Sequence, residues 1–344
     1  MKYIFLALLI IASTACNSTS KPSSNNHNTQ IEKGDINYSS QTSINIYFSK
    51  QKGNYQGGVD EKIIDSINNA KKSIYLAIYE LTNRKITQAL IDANNRGVEL
   101  EIITDDQTLK SSTEFKKLSN SGIEIYTDSD KYSLMHNKFL IIDNKKVWSG
   151  SGNYTYYSFY RNYENYIEID NQKIANAYYN EFIELLNNEK VAKCSTINYT
   201  TLCFSPEDDI EKKLINLINE AKSEIDIAIF SFTSKPISNA LVEAKKRGIN
   251  IKVVIDKDWS NQNSKYSVAK FLSDNNIDIR VDGGSFKLHD KFMIIDKKVV
   301  ASGSFNYTAK ANNKNRENEL IFKNSQITNR YLIEFNKIYS QASN

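Results

Sequence analysis

Two of the chain's three histidines stand in one pattern that is written twice. His136-Asn-Lys138-Phe-Leu-Ile-Ile-Asp143 is followed by Gly150-Ser151-Gly-Asn153, and His289-Asp-Lys291-Phe-Met-Ile-Ile-Asp296 by Gly303-Ser304-Phe-Asn306. The numbering differs by 153 at every matched position (289 − 136 and 306 − 153 alike), a register that chance does not produce. A histidine with a lysine two residues later, at the start of a strand, sends imidazole and ammonium to one face. The glycine turn lets backbone N–H groups and the Ser151 or Ser304 hydroxyl approach an anion, with Asn153 and Asn306 as neutral donors. Such a set suits a tetrahedral phosphate. One copy makes half a site. Two facing copies put His136 opposite His289, one imidazole to attack phosphorus and the other to protonate the leaving oxygen. Lys138, Lys291, Asn153 and Asn306 would then stabilise the five-coordinate transition state, so the displacement calls for no metal and no cofactor. Glu164 and Glu317 share the same interval, in Asn162-Tyr-Glu164-Asn and Asn315-Arg-Glu317-Asn. A carboxylate on the far nitrogen of each imidazole would fix its tautomer.

The elements that must position these groups alternate along the chain. Strands are expected at 44–48, 73–80 (with alternating burial), 98–104, 123–126, 139–142 and 166–169, and helices at 59–70, 84–95, 112–120 and 172–186. The order repeats after residue 205, with helices at 207–221, 235–246, near 264–273 and 326–339. Strands there are expected at 224–230, 250–255, 279–281, at the second motif and at 320–322. The phrases Asn95-Arg-Gly-Val and Lys246-Arg-Gly-Ile align at 151 instead of 153, which places a two-residue insertion before the second motif. The expected architecture is a duplicated α/β domain, each half a mixed β-sheet flanked by helices, related by an approximate internal twofold. The boundaries read as 1–15 leader, 16–43 tether, 44–190 first repeat, 191–204 linker and 205–344 second repeat.

The twice-written His-x-Lys-x4-Asp-x6-Gly-Ser-x-Asn resembles the phospholipase D superfamily, which includes phospholipases D, cardiolipin synthases and hydrolases, and metal-independent nucleases. The likeness spans roughly residues 44–340 with both copies intact. It implies that His136 and His289 are the catalytic pair, with His136 the nucleophile, and that Lys138, Lys291, Asn153 and Asn306 hold phosphate. Asp143 and Asp296 join the catalytic set as members of the signature, with a part that the resemblance makes mainly structural.

Bland readings stand beside these. A lone His-x-Lys on a strand is usually a solvated edge; two complete copies with trailing glutamates outweigh that. Asp105, Asp106, Asp256 and Asp258 follow equivalent strands, where helix capping is the stronger reading than a magnesium site. Tyr154, Tyr156, Tyr157 and Tyr160 suit core packing as well as a groove.

Composition is that of a globular protein, 40% hydrophobic and 24% charged, and no apolar run reaches the roughly 20 residues that span a bilayer. Lys2, the apolar run from Tyr3 to Ala12 and Ser13-Thr-Ala15-Cys16 read as an export signal. Cleavage after Ala15 is either ordinary or of the bacterial lipoprotein type, with Cys16 lipidated and residues 16–43 as a tether to a membrane of the cell envelope. The alternative is a secreted or periplasmic protein. Loss of Lys2 takes the net charge from +4 to +3, which decides nothing about partners. His27 lies in the tether and reads as solvated. Cys194 and Cys203 form either a disulfide or two unpaired thiols, with no histidine near them for a metal.

The reaction is better defined than the substrate. A lipid anchor at Cys16 would raise the effective concentration of phospholipid and favours phospholipase D-type release of headgroups. Compact halves and basic runs such as Lys245-Lys-Arg247 keep an exported endonuclease acting on DNA or RNA open, and a cardiolipin synthase-like phosphatidyltransferase stands third. No obligate protein partner is inferred. A non-enzymatic binding lipoprotein would be favoured by loss of a motif histidine or lysine, and all four are present.

Overall fold

Runs of five or six apolar residues between polar turns form the central strands, and the helices that cover them each carry one apolar stripe. The computed structural model describes residues 42–49, 56–128, 132–191 and 193–343. The leader, Cys16, His27 and the tether up to residue 41 lie outside the described residues. Among the described residues no helix is long and apolar enough to cross a membrane.

The first half runs β1 (Ser43–Phe48), α1 (Val59–Asn69), β2 (Ser73–Ile78), α2 (Arg84–Asn95), β3 (Glu99–Thr104), α3 (Asp106–Ser111) and α4 (Thr113–Asn120). It continues with β4 (Glu124–Thr127), β5 (Lys138–Ile142), β6 (Lys146–Gly150), α5 (Tyr156–Tyr160), β7 (Asn165–Asp170) and α6 (Gln172–Asn187). A hairpin follows, β8 (Ser195–Ile197) and β9 (Thr200–Ser205). The second half then runs α7 (Ile210–Glu220), β10 (Glu224–Ile229), α8 (Lys235–Lys246), β11 (Asn250–Ile255), α9 (Lys257–Gln262) and α10 (Ala269–Asp274). It ends with β12 (Asp278–Val281), β13 (Lys291–Ile295), β14 (Val299–Gly303), α11 (Ala309–Asn313), β15 (Glu317–Phe322) and α12 (Ser325–Gln341).

The first sheet has the order β1-β7-β6-β5-β2-β3-β4, and the second repeats it as β9-β15-β14-β13-β10-β11-β12, with β8 added outside β9. Both are mixed: β2, β3 and β4 pair in parallel, as do β10, β11 and β12, and the other pairs are antiparallel. Helices α6 and α12 lie between the sheets, in one shared core with Ala77, Phe139, Ile167, Ala228, Phe292 and Leu320. Separate cores join α1, α2 and α4 to the outer face of the first sheet, and α7, α8 and α10 to that of the second.

Two expectations change. Strand 73–80 was read as alternating, yet all six residues of β2 are buried, because helices cover both faces of its sheet. The segment 191–204, read as a linker, folds into β8 and β9. β9 takes beside β15 the place that β1 takes beside β7, so the second sheet begins before residue 205. Helices α3, α5, α9 and α11, each of five or six residues, are too short to show a helical period.

Cys194 and Cys203 are joined as a disulfide across the mouth of the β8–β9 hairpin, with Cα atoms 4.3 Å apart. Replacing both by serine should lower stability by about 2–3 kcal/mol, the loop-closure effect for so short a separation. Thermal melts with and without reductant check this; an unchanged Tm would mean that pairing with β15 alone holds β9.

Candidate active site

Strand pairing brings the two histidines to equivalent places. The start of β5 lies against the end of β2 (Lys138 beside Ile78), and the start of β13 against the end of β10 (Lys291 beside Ile229). His136 therefore emerges beside Tyr79, and His289 beside Phe230, at ring-centroid distances of 5.2 and 4.8 Å.

Each histidine segment then crosses to the opposite half. His136 N–H donates to the Arg316 carbonyl at 2.9 Å, and Arg316 N–H to that of Leu134 at 2.8 Å. His289 N–H donates to the Tyr163 carbonyl at 3.0 Å, and Tyr163 N–H to that of Lys287 at 2.9 Å. Asp105 and Asp256 cap α3 and α9, and they also accept the N–H groups of Met135 (3.3 Å) and Leu288 (2.9 Å), just ahead of the histidines. These carboxylates thus hold backbone. The result is a crossed pairing: Nδ1 of His136 meets Glu317 at 2.6 Å, and Nδ1 of His289 meets Glu164 at 2.8 Å. A carboxylate on Nδ1 keeps the proton there and leaves Nε2 free to act.

The glutamates are in turn held by serines. Ser151 and Ser304 were expected to face phosphate; both are fully buried, and their hydroxyls donate to Glu164 and Glu317 at 2.7 Å. A buried carboxylate needs every donor within reach, and that need claims the hydroxyls. Gly150 and Gly303 allow this approach, because a Cβ at either would run into the Asn165 or Asn318 carbonyl. Lys138 and Lys291 are buried below the imidazoles, and each Nζ donates to the carbonyl of the histidine two residues before it. They do so without both starting as strand residues with their histidines: β5 and β13 begin at the lysines themselves.

Both imidazoles open into one cavity of about 740 Å³, which Asn153, Asn306, Tyr79 and Phe230 also line. The Oδ1 atoms of Asn153 and Asn306 are buried without a hydrogen-bond partner, so both amides are uncommitted at the cavity wall. Asp143 and Asp296, grouped with the catalytic set, stand at the opposite ends of β5 and β13. Seven residues of extended chain separate each from its histidine, roughly 20 Å. Asp143 accepts the N–H groups of Lys71, Lys72 and Ser73, and Asp296 those of Lys222, Ser223 and Glu224. They anchor the entry to β2 and β10. Tyr157 lines the cavity and is exposed, whereas Tyr154 and Tyr160 are core residues.

Burial pushes both imidazoles toward their neutral forms; the Glu317 carboxylate opposes this on His136, while Lys291 and Lys138 add to it on His289. Burial also lowers Lys138 to about 7 and Lys291 to about 8, against the pull of both glutamates. Glu317 is drawn up by burial, but His136 and Lys138 hold it below the usual carboxylate range. Glu164 is pushed up to about 7 by burial, against the pull of Lys291 and the Ser151 hydroxyl.

Sequence reasoning missed Asn165 and Asn318, whose amides donate to Asp290 and Asn137 at 2.8 and 2.9 Å and so tie the residue after each histidine to the opposite half. Their own 153-residue interval was the available signal. The one group among the described residues with three donors close enough to hold a metal is Cys194, Cys203 and Asp208, and its thiols are joined as the disulfide.

A family profile described as "Cardiolipin synthase, PLD-like domain" matches the chain twice, over residues 63–186 and 214–339. A protein named phospholipase D from Rickettsia conorii is 34% identical over 130 residues, which is 38% of this chain and 64% of the relative. A mouse protein named mitochondrial cardiolipin hydrolase is 32% identical over 140 residues, 40% of this chain and 62% of the relative. The chain thus spans less than two thirds of either relative. The crystal structure of phosphatidylserine synthase from Haemophilus influenzae is alike in fold, with a TM-score of 0.67 over 87% of this chain and 86% of its own, at 11% identity.

Glu317→Gln and Glu164→Gln should each lower kcat by roughly 10²–10⁴-fold with little change in KM, because each frees one imidazole to take the wrong tautomer. Steady-state kinetics check this, and a loss confined to KM would contradict it. Asp143→Asn should instead cost about 1.5–3 kcal/mol of stability, measured in urea, and spare catalysis. Since backbone N–H groups hold the Asp143 pKa below its ordinary value against burial, its contribution is full above that value and is lost as pH falls through the folded one.

Proposed function

The chain belongs to the phospholipase D superfamily, and on that premise we propose that it is a metal-independent phosphodiester hydrolase working through a phosphohistidine, with phospholipid headgroup esters as substrates. The observation that carries this reading is the pair of imidazoles, each backed by the opposite half's glutamate, facing one cavity.

In this reading His136, with the ionised Glu317 on Nδ1, attacks phosphorus through Nε2. A P–N bond forms as the P–O bond to the headgroup alcohol breaks, and His289 gives its proton to the departing oxygen. A phosphate anion entering beside His289 opposes the burial and lysine effects that disfavour its charged form. Water then enters the vacated side, His289 takes its proton, and its oxygen replaces the nitrogen on phosphorus. Lys138, Lys291, Asn153 and Asn306 offset the charge that gathers on the non-bridging oxygens. The phosphate likewise restores the lysines to their charged forms. With two cations and two amides around the anion, the chain's own groups supply what a metal would supply elsewhere.

Two things support a lipid over a nucleic-acid backbone, which has the same ester. Relatives matched to the chain carry the names phospholipase D and cardiolipin hydrolase. A lipidated Cys16, proposed from sequence, would hold the enzyme at a membrane of the cell envelope.

The purified chain, with EDTA present, should release headgroup and phosphatidic acid from labelled phospholipid, and rapid acid-free quenching should trap label on the protein. His136→Ala and His289→Ala should each lose at least about 10³-fold in kcat, and His136→Ala should trap no label. Activity that vanishes in EDTA and returns with a divalent ion would refute the mechanism.

A further inference from the structure

The two buried glutamates are not held alike. Asn162 and Asn315 take the same place in the two repeats, two residues ahead of Glu164 and Glu317, and both line the cavity. Their backbones are fixed in matching ways. The N–H of Asn162 donates to the Tyr157 carbonyl at 2.8 Å, and that of Asn315 to the Lys310 carbonyl at 3.0 Å, each closing the short helix before it. Each carbonyl also accepts a serine hydroxyl, from Ser49 at 2.5 Å and from Ser205 at 3.2 Å.

The side chains nevertheless do different things. Asn315 is buried, and its amide is engaged at both ends. Nδ2 donates to Oε1 of Glu317 at 3.0 Å, while Oδ1 accepts, at 3.2 Å, the N–H of Leu134, two residues ahead of His136 in the other half. Asn162 is half-buried, and among the described residues its amide makes no hydrogen bond to protein. Glu164 draws on the Ser158 hydroxyl instead, where the second half has Ala311. A hydroxyl of the same half satisfies a carboxylate without tying it to the opposite backbone. Ser304 and His136 both meet Oε2 of Glu317, so the amide on Oε1 is what stops the carboxylate from turning about its last bond. The same amide anchors the segment that delivers the imidazole.

We infer that Asn315 is a positioning residue for His136, and for that histidine alone: it fixes the carboxylate plane of Glu317 and the backbone at Leu134 as one unit, so that Nε2 keeps a single line of attack. Resting on the phosphodiesterase reading, this role adds to it a residue that acts through Glu317.

Asn315→Ala removes both bonds, whereas Asn315→Asp keeps the shape and the acceptor for Leu134 but takes the donor from Glu317. Thermal melts establish that each variant is folded. On bis(p-nitrophenyl) phosphate both should lose about 10–100-fold in kcat with KM within about threefold, the scale on which groups that orient a histidine act. Burial raises the Glu317 carboxyl, and the Asn315 amide is among the groups that hold it down. Its loss lets a proton onto the His136–Glu317 pair at higher pH, so the acid limb of kcat/KM against pH should move up in Asn315→Ala. Nitrogen NMR of the chain labelled at histidine gives a readout free of turnover. In both variants the His136 ring should lose its fixed Nδ1–H tautomer while His289 keeps its own, and Asn162→Ala should disturb neither ring. A loss confined to KM, an unmoved acid limb, or equal change at both rings would overturn the assignment. If the wild type cleaves the ester and the Asn315 variants match it, the positioning role alone fails. If the wild type hydrolyses no phosphodiester, the parent reading falls, and the tautomer of His136 still decides this one.

Discussion

Two carboxylates removed from water hold the rest of the structure in register. Glu164 and Glu317 have no solvent exposure, and an unmatched charge in that position would cost several kcal/mol. Each is matched by a serine of its own half and a histidine of the other. Those partners lie on different elements, so the halves cannot shift, nor β6 part from β7, without stranding a charge. The glycines at the ends of β6 and β14, the exchanged backbone hydrogen bonds around Arg316 and Tyr163, and the aspartates that cap α3 and α9 all serve this closure.

Between the halves the same logic extends into a polar seam. Asn318 reaches Asn137, and Asn165 reaches Asp290, while Ser149 and Ser302 satisfy the remaining amide oxygens at 2.9 and 3.1 Å. The copies differ at the position after the histidine, an amide in one and a carboxyl in the other, and in the tyrosine hydroxyl, which runs from Tyr331 to Asn165 but from Tyr178 to Ser149. Burial pushes Asp290 up to about 8, against the Asn165 amide that donates to it as Asn318 donates to Asn137.

Much of this was legible in the residues. The 153-residue register located the histidines, the lysines, the asparagines and the glutamates together. Helices α2 and α8 and strand β11 fall where periodicity and a following glycine put them, Gly97 and Gly248 having the positive φ that ends each helix. What sequence could not supply was partnership. No spacing says that a glutamate serves the other half's histidine, because the crossing is set by how two sheets dock. Nor does a signature separate Ser151, which holds a carboxylate, from Asn153 two residues on, which is left free at the cavity. The hairpin of β8 and β9 was hidden for another reason: Thr200–Ser205 carries few large apolar residues, and it becomes a strand because β15 has an open edge to fill.

The crossing of carboxylates between halves also fixes how the site responds to dilution. Neither copy is complete without the other, so two unlinked copies would assemble by a second-order encounter and come apart as concentration fell. Here one polypeptide carries both, joined through α6 and a disulfide-closed hairpin that itself belongs to the second sheet. The encounter is intramolecular, at the effective concentration of a short tether. A single molecule, however far from its neighbours, holds a whole site.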